Sequence, residues 1–168
     1  MIGNDVVDIC QSRLDSNWQR KGFIQKLFTE EEQLLIANNL DTEMIIWLLW
    51  SMKEAAYKIW NRQTKIREYI PRKLVCTLLT QNSHSATGQV VCCGNIYHTK
   101  SSLSKEFLHT IAVIDFQALE HVIEIDSKSM LKYENGIPYQ ITEDQWRPVS
   151  VSNHGRFEKV VTLKAHDW

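Results

Sequence analysis

The longest run of ordered hydrophobic spacing lies between residues 43 and 62, where apolar side chains recur at the helical repeat. Leu48, Leu49, Met52, Ala55, Ala56 and Ile59 form one stripe, and Asp41 or Thr42 stands where a cap is needed. The other side carries Trp47, Trp50, Glu54, Tyr57, Lys58 and Asn61. A helix with a core stripe on one side and indoles on the other is expected to be covered on both. Glu54 then needs a partner, and Lys58 one turn on offers an i,i+4 pair.

Upstream, residues 1–10 alternate as an opening strand, with Asp5 on the face of Val7 and Ile9, a poor place for an unpaired carboxylate. Asp8 reads as a solvated strand residue. A basic stretch from Arg13 to Lys26 follows, and then Thr29 with Glu32 three residues later, a capping box ahead of Leu34, Leu35 and Ile36. Capping accounts for these glutamates better than catalysis does.

The remainder leans toward strands. Lys73 to Leu79 is a short β-type run, followed by a polar loop from Gln81 to Thr87. Gln89 to Tyr97 and Phe107 to Ile114 read as a hairpin joined by a Ser/Lys-rich linker, 99–105. Asp115 to Glu124 suits helix or strand equally. Asn135-Gly136-Ile137-Pro138 is a turn between two strands, and Val149 to Leu163 is extended around an interruption at Asn153-His154-Gly155. The fold class is α+β, one domain over 1–168 with helices on a small antiparallel sheet.

Composition narrows this picture without naming a function. The 168 residues are 43% hydrophobic and 23% charged, ordinary values for a globular chain. A formal charge of −1 leaves no global attraction to nucleic acid or anionic membrane, so a charged partner must use a local patch. The chain shows neither a secretory leader nor a membrane-length apolar run, so a cytoplasmic protein is expected. Cys10, Cys76, Cys92 and Cys93 lack a CxxC spacing; read as strand neighbours, Cys92 and Cys93 point to opposite faces as reduced thiols. The six histidines show no metal-ligand spacing.

If Asp5 and Glu54 converge, two carboxylates without His or Cys favour a hard cation such as magnesium, which leaves room for substrate phosphates. Lys53 and Lys58 beside Glu54 suit a di- or triphosphate ester, and hence phosphoryl-type chemistry.

Five segments carry a family resemblance. Gly3-Asn4-Asp5-Val6-Val7-Asp8-Ile9 resembles the Gly-x-Asp strand of the 4′-phosphopantetheinyl transferases, and Trp50-Ser51-Met52-Lys53-Glu54-Ala55-Ala56-Tyr57-Lys58 resembles their Trp-x-x-Lys-Glu-Ala-x-x-Lys helix. Phe23, Lys26, Phe28, Thr29 and Glu32 are similar to the segment between them. Asn135 to Tyr139 is similar to the Asn-Gly-Lys-Pro-Tyr turn, and Val149 to Phe157 to the Val-Ser-Ile-Ser-His strand. Their order is that of the short holo-acyl-carrier-protein synthase type.

The resemblance implies transfer of phosphopantetheine from coenzyme A to a serine of an apo carrier protein, releasing adenosine 3′,5′-bisphosphate. Asp5 and Glu54 would be magnesium ligands, and Glu54 or a magnesium-bound water would take the serine proton. Lys58 would support the phosphate charge, and Lys53 would reach the phosphates or the carrier. Ser152, Asn153 and His154 would lie near coenzyme A. Asn153 stands in register with the family histidine; a one-residue bulge would give that place to His154 instead.

Val7 occupies the position where larger members carry a third acid, and residues 80–130 exceed the short type's usual connection, as an inserted hairpin would. In the short type the Ser-His strand faces a neighbouring subunit's metal site, which implies a trimer. An acidic carrier would dock on Arg13, Arg20, Lys21 or Lys26. The alternative is a non-catalytic relative that binds the carrier or coenzyme A.

Overall fold

The computed structural model describes residues 1–126, 131–141 and 145–164. Strand β1 (Ile2–Asp8) leads into helices α1 (Ile9–Asp15), α2 (Phe23–Leu27), α3 (Glu30–Ala37) and α4 (Thr42–Thr64). Strands β2 (Val75–Gln81), β3 (Ser85–Cys92), β4 (Asn95–Leu103) and β5 (Phe107–Val113) follow. A 3₁₀ turn (Phe116–His121) leads to β6 (Val122–Glu124), so the undecided 115–124 segment contains both kinds of structure. Then come β7 (Leu131–Glu134), β8 (Ile137–Ile141), β9 (Trp146–Pro148), β10 (Ser150–His154) and β11 (Phe157–Leu163).

The main sheet is antiparallel in the order β1-β5-β4-β3-β2; β10-β11-β6 and β7-β8-β9 form two three-stranded sheets. Helix α4 lies on the main sheet. Its stripe from Leu48 to Ile59 is buried and shares a core with Val7, Val90, Tyr97, Leu108 and Ala112. Its second side is covered too: Trp47 is buried, and Trp50 and Tyr57 pack partly buried against the same core. The expected capping box is present, with Thr29 Oγ1 accepting from the Glu32 amide and the Glu32 carboxylate accepting from the Thr29 amide. Asp41 caps α4 through the Met44 amide at 3.0 Å.

Two close approaches set the geometry of β1. A Cβ at Gly3 would collide with the Ala55 carbonyl oxygen, so glycine lets β1 lie against the backbone of α4. On the free edge of β1, the amides of Asn4, Val6 and Asp8 donate to Ser150 Oγ (2.9 Å), Ser152 Oγ (3.0 Å) and His154 Nδ1 (2.9 Å). Alternate side chains of β10 thus satisfy alternate amides of an edge strand that would otherwise be open.

Helix α4 stitches the same two strands together. Lys58 Nζ donates to the carbonyls of Asn4 (2.6 Å) and Val151 (3.1 Å). One turn later Arg62 donates to Ile2 (3.1 Å) and Val149 (3.0 Å). Four residues of helix advance about 6 Å and two residues of strand slightly more, so an i,i+4 pair of cations matches the strand repeat.

Several expectations need correction. The opening strand ends at Asp8, which is buried rather than solvated. Its carboxylate caps α1 through the amides of Cys10 and Gln11 and takes two bonds from the Arg156 guanidinium, at 2.9 and 3.0 Å. Residues 89–97 are not one strand, because Cys93 and Gly94 both take positive φ (50° and 84°) and turn the chain between β3 and β4. The 99–105 linker is instead largely β4. Residues 80–113 form no appended hairpin: β3, β4 and β5 are interior strands of the main sheet, and β5 is the partner of β1. Of the expected 80–130 insertion, 127–130 lie outside the described residues, as do 142–144 and 165–168 of the expected 1–168 domain.

Candidate functional site

The close packing allowed by Gly3 brings Asp5 of β1 and Glu54 of α4 to the same cleft, of about 330 Å³. Asn153 and His154 enter it from β10, and Arg20 and Lys26 from the α1–α2 region. Phe23, Trp47 and Trp50 supply its apolar wall. Phe23 meets Trp47 edge-on at 6.5 Å.

The two carboxyls are only partly compensated by their surroundings. Burial raises the Asp5 carboxyl above the usual carboxylate range, against the lowering influence of Lys58 and of hydrogen bonds from Ser51 and Ser152. Ser152 Oγ lies 3.2 Å from Asp5 Oδ1. Glu54 is pushed up to about 7 by burial and then by the charge of Asp5, while Tyr69 and Lys58 pull it down. Glu54 and Lys58 form no direct ion pair; the Lys58 ammonium instead donates two of its protons to the carbonyls already described. Burial also lowers the pKa of Lys58.

His154 is held in one tautomer. Its Nδ1 accepts the Asp8 amide proton, so the ring proton sits on Nε2, 3.2 Å from Asp15 Oδ2. The hairpin behind it is pinned by Asp8 and Arg156, with Gly155 between them at φ 53°. A Cβ there would strike the Asp8 carboxylate. His154 continues the period-two row of Ser150 and Ser152 toward β1, while Asn153 is exposed at the cleft.

Lys53, expected at coenzyme A, is instead fully buried away from the cleft. Its Nζ donates to both Glu32 oxygens (2.9 and 2.7 Å) and to the carbonyls of Pro71 (2.8 Å) and Leu74 (2.6 Å). Of the expected docking cations, Arg13 is engaged by Glu43 through Nε at 3.0 Å and Nη2 at 2.7 Å. Arg20 and Lys26 face the cleft, and Lys21 is exposed nearby.

Tyr69 is a residue that sequence reasoning missed. It packs edge-on against Trp50 (5.6 Å) and Tyr57 (4.9 Å), and its buried hydroxyl acts on Glu54 without making a regular hydrogen bond. It lies in an irregular stretch after α4, where no periodicity marks it. The indole N–H of Trp47 is likewise buried and unpartnered.

A family model described as the 4′-phosphopantetheinyl transferase superfamily matches residues 1–125. The chain belongs to the 4′-phosphopantetheinyl transferase superfamily. The match takes in α4 and all five strands of the main sheet, so Asp5 and Glu54 lie within it, while Asn153 and His154 lie beyond it. No curated protein matches the chain. Membership makes this a phosphopantetheinyl transferase in the general sense, with coenzyme A and a carrier protein as the family's partners. Members generally use a divalent metal. Two carboxylates meeting in one cleft suit a hard cation with oxygen ligands. Among the described residues no group of three His, Cys, Asp or Glu side chains is arranged as a metal site, and no helix is long and apolar enough to cross a membrane.

Proposed function

We propose that this chain is a cytoplasmic holo-acyl-carrier-protein synthase, transferring 4′-phosphopantetheine from coenzyme A to a serine hydroxyl of an acidic apo carrier protein. The observation that carries this reading is the meeting of Asp5 and Glu54 in one cleft with Asn153 and His154. Asp5 and Glu54 would hold magnesium, which would neutralise charge developing on the pyrophosphate.

The protein's own groups account for the remaining demands of the reaction. Glu54, or a magnesium-bound water beside it, would accept the serine proton. Ser152 fixes one oxygen of Asp5. Lys58 commits two of its three donors to carbonyls and has one left for a phosphate oxygen. Asn153 and the neutral His154 offer polar edges to the nucleotide end of coenzyme A. Arg20 and Lys26 supply local positive charge for phosphates or for the acidic carrier. Trp47 and Trp50 limit water on one wall.

A trimer belongs to the same reading, with a neighbouring chain closing the open side of the cleft. Within one chain, β10 already lies against β1, so its polar groups reach Asp5 without a partner. Light scattering on the purified protein reads the assembly directly.

The deciding experiment incubates the protein with coenzyme A, magnesium and a panel of apo carriers. Addition of one phosphopantetheine mass to a carrier is the expected result. Calorimetric binding of coenzyme A with no mass shift on any carrier would overturn the reading in favour of a binding relative.

A further inference from the structure

Away from the cleft, the β3–β4 turn holds two thiols side by side. Cys92 ends β3 buried, Cys93 is exposed, and their sulfurs lie 3.9 Å apart. With φ positive at Cys93 and Gly94, this is a two-residue turn of the kind that favours Asn, Asp or Gly at its first position. A cysteine held there carries strain on the order of 1–2 kcal/mol, and such strain gathers at functional positions. The two cysteines line a separate cleft of about 190 Å³ with Tyr57, Trp60, Glu68 and Lys73.

We propose that Cys92 and Cys93 form a reactive vicinal dithiol, a modification site for small anionic disulfides. Lys73 lines the same cleft and supplies a cation for a carboxylate on the incoming thiol. Cys93, the exposed member, attacks one sulfur of the disulfide; a Cys93–thiol mixed disulfide forms and one thiolate leaves. Cys92 then attacks the Cys93 sulfur and releases the second thiolate. Two protein thiols are oxidised and the incoming disulfide is reduced to two thiols.

The order of attack follows from the surroundings of each thiol. Burial pushes Cys92 up to about 11, helped by its hydrogen bond to Cys93 and by the charge there, while Lys73 pulls it down. The last two raising influences vanish once Cys93 is in a mixed disulfide, so Cys92 becomes the better nucleophile at the step that needs it. Neighbouring Cα atoms are about 3.8 Å apart, closer than the usual disulfide span, so the product is strained and readily reduced. The modification is therefore reversible.

The test exposes the full chain to oxidised glutathione and maps the peptides by mass. The Cys92–Cys93 peptide is expected to lose two hydrogen masses, with no lasting adduct, and to recover under dithiothreitol. Cys10, exposed and without a neighbouring thiol among the described residues, serves as the control and should keep one glutathione. Cys92→Ser should trap glutathione on Cys93, and Cys93→Ser should leave Cys92 unmodified. A wild-type pair that stays reduced while Cys10 reacts, or a stable adduct on wild-type Cys93, would overturn the proposal.

Discussion

The ammonium of Lys53 and the carboxylate of Glu32 form an ion pair closed to solvent, with Nζ–O distances of 2.9 and 2.7 Å. Glu32 also caps α3 through the Thr29 amide and accepts the Cys76 amide at 2.7 Å. One carboxylate thus ties α3, α4 and β2 together, and its α4 partner Lys53 stands next to Glu54 in sequence but away from the cleft that Glu54 lines. Truncating one member of a buried pair strands the other's charge, at a cost of about 3–5 kcal/mol. Lys53→Ala is expected to lower the urea midpoint accordingly, and adding Glu32→Gln, which removes the stranded charge but keeps an acceptor for the Thr29 and Cys76 amides, to recover part of the loss. An unchanged midpoint combined with lost coenzyme A binding would return Lys53 to the substrate.

Two groups give opposing pH dependences. Glu54 has a folded pKa near 7 against an ordinary 4.5, so between these values the native state binds more protons than the unfolded one. Its contribution, roughly 3 kcal/mol, is therefore lost as pH rises from about 4.5 to 7. His109, buried beside Asn4, is lowered from 6.5 to about 4, chiefly by burial, and contributes a similar amount that is gained as pH rises from about 4 to 6.5. The two slopes offset each other below about pH 6.5, and above it the fall from Glu54 remains. His109→Gln should unmask a stability that declines steadily from pH 4.5 to 7.5 without metal. A flat thermal-melting profile for that variant would contradict the raised proton affinity of buried Glu54.

The fit of β1 against α4 leads to a sharper substitution. Gly3→Ala sets a methyl group onto the Ala55 carbonyl, which is backbone and cannot rotate away. The strand must shift, taking Asp5 from Glu54. Manganese binding, read by calorimetry, is expected to fall more than tenfold, along with a loss of stability of about 1–3 kcal/mol. Manganese affinity within twofold of wild type would show that β1 tolerates the displacement.

What could be read from the chain beforehand follows physical range. The stripe and caps of α4, the Thr29–Glu32 box and the Asn135–Gly136 turn are local patterns, and each is present. Asp8 was misread although Asp is a favoured N-cap; the signal was local and available. Its partner Arg156 was not, since it lies 148 positions away. The β3–β4 turn was hidden because Cys93 takes a backbone conformation its residue type does not announce. Strand β4 was hidden because its inward positions include Thr99 and Ser101, both buried, and Ser101 pairs with Thr110 at 2.8 Å instead of presenting an apolar side chain. The meeting of Asp5 with Glu54 was inferred from resemblance alone; nothing in their spacing encodes Gly3's contact with Ala55.

Tyr69 gives the last expectation, because its hydroxyl is buried next to Glu54 and lacks a regular partner. Burial and the Glu54 charge hold its own proton firmly, so it can act only as a donor. Its interaction lowers the Glu54 pKa by favouring the charged form. Tyr69→Phe removes the donor while keeping the ring against Trp50 and Tyr57. The Glu54 titration, followed by carbon-13 NMR in metal-free protein, should then move upward from about 7. Manganese affinity should weaken several-fold at pH 7, because more of the carboxyl must lose a proton before it can bind. The loss should shrink at pH 8.5, where both proteins are ionised to a greater extent. A loss of affinity independent of pH would point to altered packing of the Trp50–Tyr69–Tyr57 cluster, and an unchanged Glu54 titration would separate Tyr69 from the site altogether.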